Sequence, residues 1–349
     1  MLSRPPVCEV AELDFAGGVS HILDMLTRRS LLLAAPALCA APYVLRAQSD
    51  PLRAFFDTTP QLRTLQVMRT DTLVFADARS PGNLNSLANI KSVSKSIVSL
   101  LLGTAFDRGE LTSISATIGE VAPNLLPADA TPGAADITLQ DLVTLRAGLE
   151  RTSGPNYGAW VGSPNWVANA LSRPMVVEPG TRMLYLTGSS HILGAILTEV
   201  TGQSLLQLAR ERLGEPLGID IPPWTRDPQG YYMGGNQMAL RPTAMLKLAQ
   251  LVRDGGQFNG TQVVSGNWML ASTQAYTQST WSGLSYGYGW FLSPSGYVLG
   301  RGYGGQIIAA HPERRLAVAI TSDPTQPALS GGYFSDLIGL LDGPILGIA

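Results

Sequence analysis

Lys91-Ser92-Val93-Ser94-Lys95-Ser96-Ile97-Val98-Ser99-Leu100-Leu101-Leu102-Gly103-Thr104-Ala105 is the stretch on which the reading of this chain turns. Its apolar residues, Val93, Ile97, Val98, Leu100, Leu101 and Leu102, cover most of a helix circumference, so the spacing predicts a largely buried helix with Ser92 in its first turn. Ser92 and Lys95 stand three residues apart, which places them on one helix face about one turn from each other. The lysine amine then reaches the serine hydroxyl. A hydroxyl is a weak nucleophile until a base takes its proton, and a lysine serves when burial lowers its pKa. Ile97, Val98 and Leu101 supply that apolar setting, and the N–H groups of the helix N-terminus supply donors for an oxyanion. Taken alone, the same residues also describe an N-capping serine followed by a surface lysine.

Upstream, Leu65 to Arg69 and Thr72 to Ala76 read as a hairpin turning at Thr70-Asp71. Downstream, helix-like segments alternate with Pro- and Gly-containing loops: Leu139 to Leu145, Ile192 to Val200, Leu205 to Leu213 and Thr243 to Val252. Strand patterns return at Tyr288 to Leu292, Ile307 to Ala310 and Leu316 to Ile320, followed by a helix from about Phe334 to Leu341. The expectation is one catalytic domain over 48–349. Its α/β lobe, an antiparallel sheet flanked by helices, comes from about 48–108 and 255–349, and a mostly helical lobe from about 109–254.

Ser92-Val93-Ser94-Lys95-Ser96 resembles the nucleophile motif of serine beta-lactamases and penicillin-binding proteins, above all class C enzymes and their family VIII esterase and 6-aminohexanoate-dimer hydrolase relatives. Ile137 through Leu149 resembles the family's helix leading into a Ser-Gly-Leu-type turn, with Ala147 in place of serine. Tyr185-Leu186-Thr187 matches the family's Tyr-x-Asn or Tyr-x-Ser position. The resemblance implies a beta-lactamase/transpeptidase-like α/β (α+β) fold and three catalytic residues: Ser92 as nucleophile, with Lys95 and Tyr185 moving protons. A phenol beside an ammonium forms one coupled acid–base unit with it.

The family's third motif, Lys-Thr-Gly or His-x-Gly, finds its best match in Tyr303-Gly304-Gly305. By position the resemblance assigns the oxyanion hole to the backbone N–H groups of Ser92 and Gln306, and substrate contacts to Thr187, Tyr303 and Gly305. Arg301 is a further candidate cation for a substrate carboxylate. Tyrosine in the first place departs from the family pattern and favours an esterase or amidase over a beta-lactamase. The alternatives are a class C beta-lactamase or D-alanyl-D-alanine peptidase, and a non-catalytic penicillin-binding-like protein. Gly300-x-Gly302-x-x-Gly305 also fits a dinucleotide pattern, but the strand-like Ile307 to Ala310 follows where a helix is required.

Composition narrows the rest. The chain has 349 residues, 45% of them hydrophobic and 14% charged, with formal net charge −2 and no long charge runs, which gives no footprint for nucleic acid. Its lysines are Lys91, Lys95 and Lys247, so two of the three flank Ser92. His21, His191 and His311 offer no zinc-ligand spacing, so no metal and no cofactor is expected. The expected partner is a small ester, amide or beta-lactam.

At the N-terminus, Arg28-Arg29 precedes an alanine-rich apolar stretch ending near Ala47, the pattern of a twin-arginine export signal over 1–47. Pro36 and Pro42 interrupt it, and it falls short of the roughly 20 apolar residues of a spanning helix. The expected address is the periplasm or exterior of a bacterial cell. Glu9, Glu12, Asp14 and Asp24 are out of place in such a signal, which points to a start at Met25. Cys8 and Cys39 both precede the mature chain.

Overall fold

The computed structural model describes residues 51–80 and 83–348, so the export signal and the start at Met25 lie outside the described residues. A helix, α1, runs through 51–58 and leads into strands β1 (Leu62–Arg69) and β2 (Thr72–Ala78), the expected hairpin. At its turn Thr70 takes a left-handed φ of 49°. Six more strands come from the other end of the chain: β3 (Thr277–Gln278), β4 (Ser285–Tyr286), β5 (Phe291–Leu292), β6 (Val298–Gly302), β7 (Gln306–His311) and β8 (Leu316–Ser322). The sheet order is β2-β1-β8-β7-β6-β5-β4-β3, antiparallel throughout. The β1–β8 pairing, with Leu65 opposite Ile320, joins the two ends of the described chain in one layer.

Both faces of the sheet are covered, which explains the continuous apolar runs in β7 and β8. Leu316, Val318 and Ile320 pack with Ile307 and Ala309 against α1 and against helix α5 (Tyr333–Leu340), through Leu52, Phe56, Phe334 and Leu337. The alternate residues Ile308, Ala310, Ala317 and Ala319 join the larger core on the opposite face. Here the small alanines leave room for helix α4 (Pro242–Arg253), which lies on β7 and β8. The helical segment was expected to run to 254, but α4 belongs with the sheet. An amphipathic helix records that it has a buried face, not which layer receives it.

Helix α2 (Ser94–Asp107) is the central post, buried from Ser94 through Ala105. Gly103 gives it contact with the indole of Trp268, where a β-carbon would collide. Helix α3 (Thr187–Thr201) packs beside it, buried from Thr187 through Leu197. Two expectations were too simple. Tyr288 to Leu292 is no continuous strand: Gly287 N–H donates to the Trp290 carbonyl at 2.8 Å, Gly289 takes φ 77°, and the chain turns between β4 and β5. The segment 298–302, which shows no strand pattern in the sequence, is strand β6. Gly300 and Gly302 are there because Ser96 and the Ile90 carbonyl, respectively, occupy the space of their side chains. Among the described residues no single helix is long and apolar enough to cross a membrane.

Candidate active site

Ser92 does not sit in the first turn of α2 but in a 3-10 turn, Lys91–Val93, immediately before it. The short strand Ala88–Asn89, paired with Ala239–Leu240, delivers the chain to this point. Asn89 Oδ1 accepts the Lys91 N–H at 2.9 Å, Lys91 turns through φ 52°, and Ser94 Oγ donates to the Lys91 carbonyl at 2.6 Å. A loop-to-helix corner pinned in this way leaves the Ser92 hydroxyl at the surface of a cleft.

Lys95, one turn on, is buried. Its Nζ lies 3.2 Å from Ser92 Oγ, 2.7 Å from the Gly235 carbonyl and 3.4 Å from Thr187 Oγ1. None of these partners is charged, and desolvation lowers the Lys95 pKa from 10.5 to about 7. As a neutral amine, Lys95 can donate to Gly235 and Thr187 while its lone pair faces the serine proton. Tyr185 lies on the extended segment entering α3, its ring centroid 4.9 Å from Lys95 Nζ. Burial raises its pKa, opposed by a hydrogen bond with Ser92 and by the charge of Arg301. Ser92, Lys95, Tyr185 and Thr187, separated by up to 95 positions, thus converge on one point.

Behind Lys95 stands a wall built from backbone. Thr187 begins α3; its N–H donates to Ser153 Oγ at 2.9 Å and its hydroxyl lies 3.0 Å from the same atom. A β-carbon on Gly235 would come within 3.2 Å of Lys95 Nζ, and one on Gly234 would collide with the Ser190 carbonyl. The Gly234 N–H donates to His191 Nδ1 at 3.4 Å, which puts the ring proton on Nε2, 3.0 Å from Asp227 Oδ2. His191 and Asp227 have fully buried side chains, and the rings of Trp160 and Trp166 pack on the imidazole. Asp227 Oδ1 also accepts N–H groups of Gln229 and Tyr231, at 3.0 and 2.8 Å. Sequence reasoning missed Ser153, Gly235 and Asp227 and gave His191 no role in the site, since no local spacing ties any of them to Ser92.

In front of Ser92 opens a cleft of about 710 Å³. Tyr303, 54% exposed, and Trp281, 48% exposed, stand on its rim, with the Trp281 ring edge-on to Tyr185 at 5.9 Å. Gly302, at the end of β6, lies against Ile90 and Lys91, so the turn after β6 abuts the Ser92 turn. The N–H groups of Ser92 and Tyr303 have no backbone acceptor among the described residues. The expected positions of Gly305 and Gln306 differ from this arrangement. Gly305 faces Tyr333 and Leu337 of α5, and Gln306 is fully buried with its side-chain amide exchanging hydrogen bonds with the Ser322 backbone at 2.9 and 3.1 Å. Neither lines the cleft; Gly302 and Tyr303 do. Two residues along a turn are enough to carry a side chain from the cleft to the interior. Arg301 reaches the cleft, but its guanidinium bonds Ser330 Oγ and the Ala328 carbonyl and lies 3.4 Å from the Phe334 ring centroid.

A family model described as Beta-lactamase matches residues 64–333. Among solved structures, EstCE1, a hydrolase with promiscuous acyltransferase activity, superposes with a TM-score of 0.71 at 17% identity, over 87% of this chain and 100% of that one. A family VIII carboxylesterase gives 0.66 at 17% identity, covering 88% and 96%. A penicillin-binding protein homologue from Caulobacter crescentus gives 0.65 at 17% identity, covering 80% and 91%. At such identities the likeness concerns the fold. No curated protein matches the chain.

Proposed function

The chain belongs to the beta-lactamase family and is a serine hydrolase, and from that premise we propose that it cleaves an ester or amide bond of a small substrate through an acyl-enzyme on Ser92. The observation that carries the reading is the buried Lys95 amine, 3.2 Å from Ser92 Oγ and bonded otherwise to neutral oxygens. Neutral Lys95 takes the Ser92 proton as Oγ attacks the carbonyl carbon, giving a tetrahedral oxyanion. The free N–H groups of Ser92 and Tyr303 receive that oxyanion, Tyr303 taking the place first assigned to Gln306. Tyr185, between the lysine and the cleft, passes the proton to the leaving alcohol or amine as the C–O or C–N bond breaks. Water, deprotonated by the same pair, attacks the acyl carbon and returns Ser92.

The stretch Gly300 to Gly305, where beta-lactamases resembling this chain carry lysine or histidine, holds neither, which favours esters and amides over beta-lactams. Intact-mass spectrometry of the mature protein, incubated separately with a fluorophosphonate and with a penicillin, tests this alongside Ser92→Ala. A fluorophosphonate adduct that disappears in Ser92→Ala is expected. Rapid penicillin acylation would move the reading to a beta-lactamase or D-alanyl-D-alanine peptidase, and no adduct in folded protein would overturn the hydrolase mechanism. The twin-arginine pattern further supports export, so we propose that the mature enzyme works in the periplasm or outside a bacterial cell; a cytoplasmic chain with an intact N-terminus on peptide mapping would refute that.

A further inference from the structure

The electrostatics of the cleft point to the kind of substrate. Of the described residues lining it, Lys91, Arg151 and Arg301 carry cationic side chains and none is Asp or Glu. This excess is local, because the chain as a whole carries formal net charge −2. The three cations are not equivalent. Arg301 is held by Ser330, Ala328 and the Phe334 ring, and its burial lowers its pKa to about 10. Arg151 and Lys91, both lining the cleft, form no ion pair among the described residues. Arg151 lies over the Trp281 ring at 5.9 Å, and Trp281 in turn packs on Tyr185, so an indole separates the free guanidinium from the reacting centre.

Resting on the serine-hydrolase reading above, we propose that the enzyme acts on substrates carrying a carboxylate remote from the scissile bond, with Arg151 as its principal partner and Lys91 adding positive potential beside Ser92. A guanidinium offers a carboxylate two parallel N–H donors, and a partly desolvated cleft of one sign concentrates the opposite charge at its mouth. Trp281 supplies the apolar surface along which the chain between carboxylate and carbonyl lies. Arg151 is exposed and has no ion partner among the described residues, so its guanidinium is open to a substrate carboxylate.

The experiment compares kcat/KM for 4-nitrophenyl hemiadipate and for its methyl ester, which differ in the remote carboxylate alone. The expected result is a preference for the hemiadipate of about tenfold or more at low ionic strength, about 1.4 kcal/mol, shrinking as salt is added. In Arg151→Gln the ratio of the two values falls towards one, and in Arg151→Glu it inverts; measurable turnover of the methyl ester shows each variant folded. Equal rates on the two esters in the unmodified enzyme, or a ratio unmoved by both Arg151 variants, would overturn the proposal. Failure of the catalytic reading itself looks different: neither ester is turned over and Ser92 takes no fluorophosphonate.

Discussion

The two sides of Ser92 are built by opposite rules. Behind it, every polar group that faces Lys95 is buried and partnered: Thr187 by Ser153, Gly235 through its neighbour Gly234 by His191, and His191 by Asp227. In front, Trp281 and Tyr303 are half exposed, and Arg151 has no ion partner among the described residues. Proton transfer needs fixed distances and a dry environment, so its residues sit on α2 and α3 or at the turns that lead directly into them. Substrate selection needs adaptable surface, and its residues sit on loops and strand ends.

The sharpest way to break the contrast is at its centre. Lys95→Met should cost about 10²- to 10⁴-fold in kcat/KM on an activated ester while making the protein more stable, a pairing expected where a site holds a buried charge. The stability gain depends on pH. Because burial lowers the folded-state pKa to about 7 from 10.5, the unfolded chain binds more protons between those values. The burial penalty is therefore full below pH 7 and fades as pH rises towards 10.5. Melting curves should show a larger gain for Lys95→Met at pH 6 than at pH 9; an equal gain at both would mean Lys95 is not desolvated.

The same pKa shapes catalysis. The kcat/KM of the unmodified enzyme should rise with pH through about 7 as Lys95 loses its proton, and Tyr185→Phe should lower the plateau by about a hundredfold. A profile flat from pH 5 to 9 would remove Lys95 as the base.

Loosening the wall from behind comes next. His191→Phe removes the acceptor for the Gly234 N–H and should lower kcat/KM about tenfold, moving its acidic limb to higher pH as water reaches Lys95, with His191→Gln restoring part of the loss. Gly234→Ala forces backbone apart at Ser190 and should cost about 1–3 kcal/mol in urea denaturation. An unmoved pH limb in His191→Phe would reduce the pair to a packing element.

The smallest effect belongs to the rim. Trp281→Ala should raise KM a few-fold and leave stability within about 0.5 kcal/mol, because the ring is half exposed. A large loss of kcat would instead mean that Trp281 holds Tyr185 in place.

What the sequence determined by itself was whatever depends on neighbours along the chain. The three-residue spacing of Ser92 and Lys95, the apolar circumference of α2, the hairpin at Thr70-Asp71 and the apolar runs of β7 and β8 are all short-range patterns, and the structure departs from them only in placing Ser92 in a 3-10 turn just ahead of α2. Tyr185 and Thr187 were found through family resemblance, because 90 positions separate Tyr185 from Lys95 and no periodicity spans such a gap. The tertiary structure alone decided the rest: that the Gly235 carbonyl, 140 positions from Lys95, accepts a hydrogen bond from its amine, that His191 and Asp227 stand behind that contact, that α4 joins the sheet, and that Tyr303 and not Gln306 faces the cleft. Desolvation and hydrogen-bond partnership are properties of the space that packing leaves around a side chain, and distant segments make that space together.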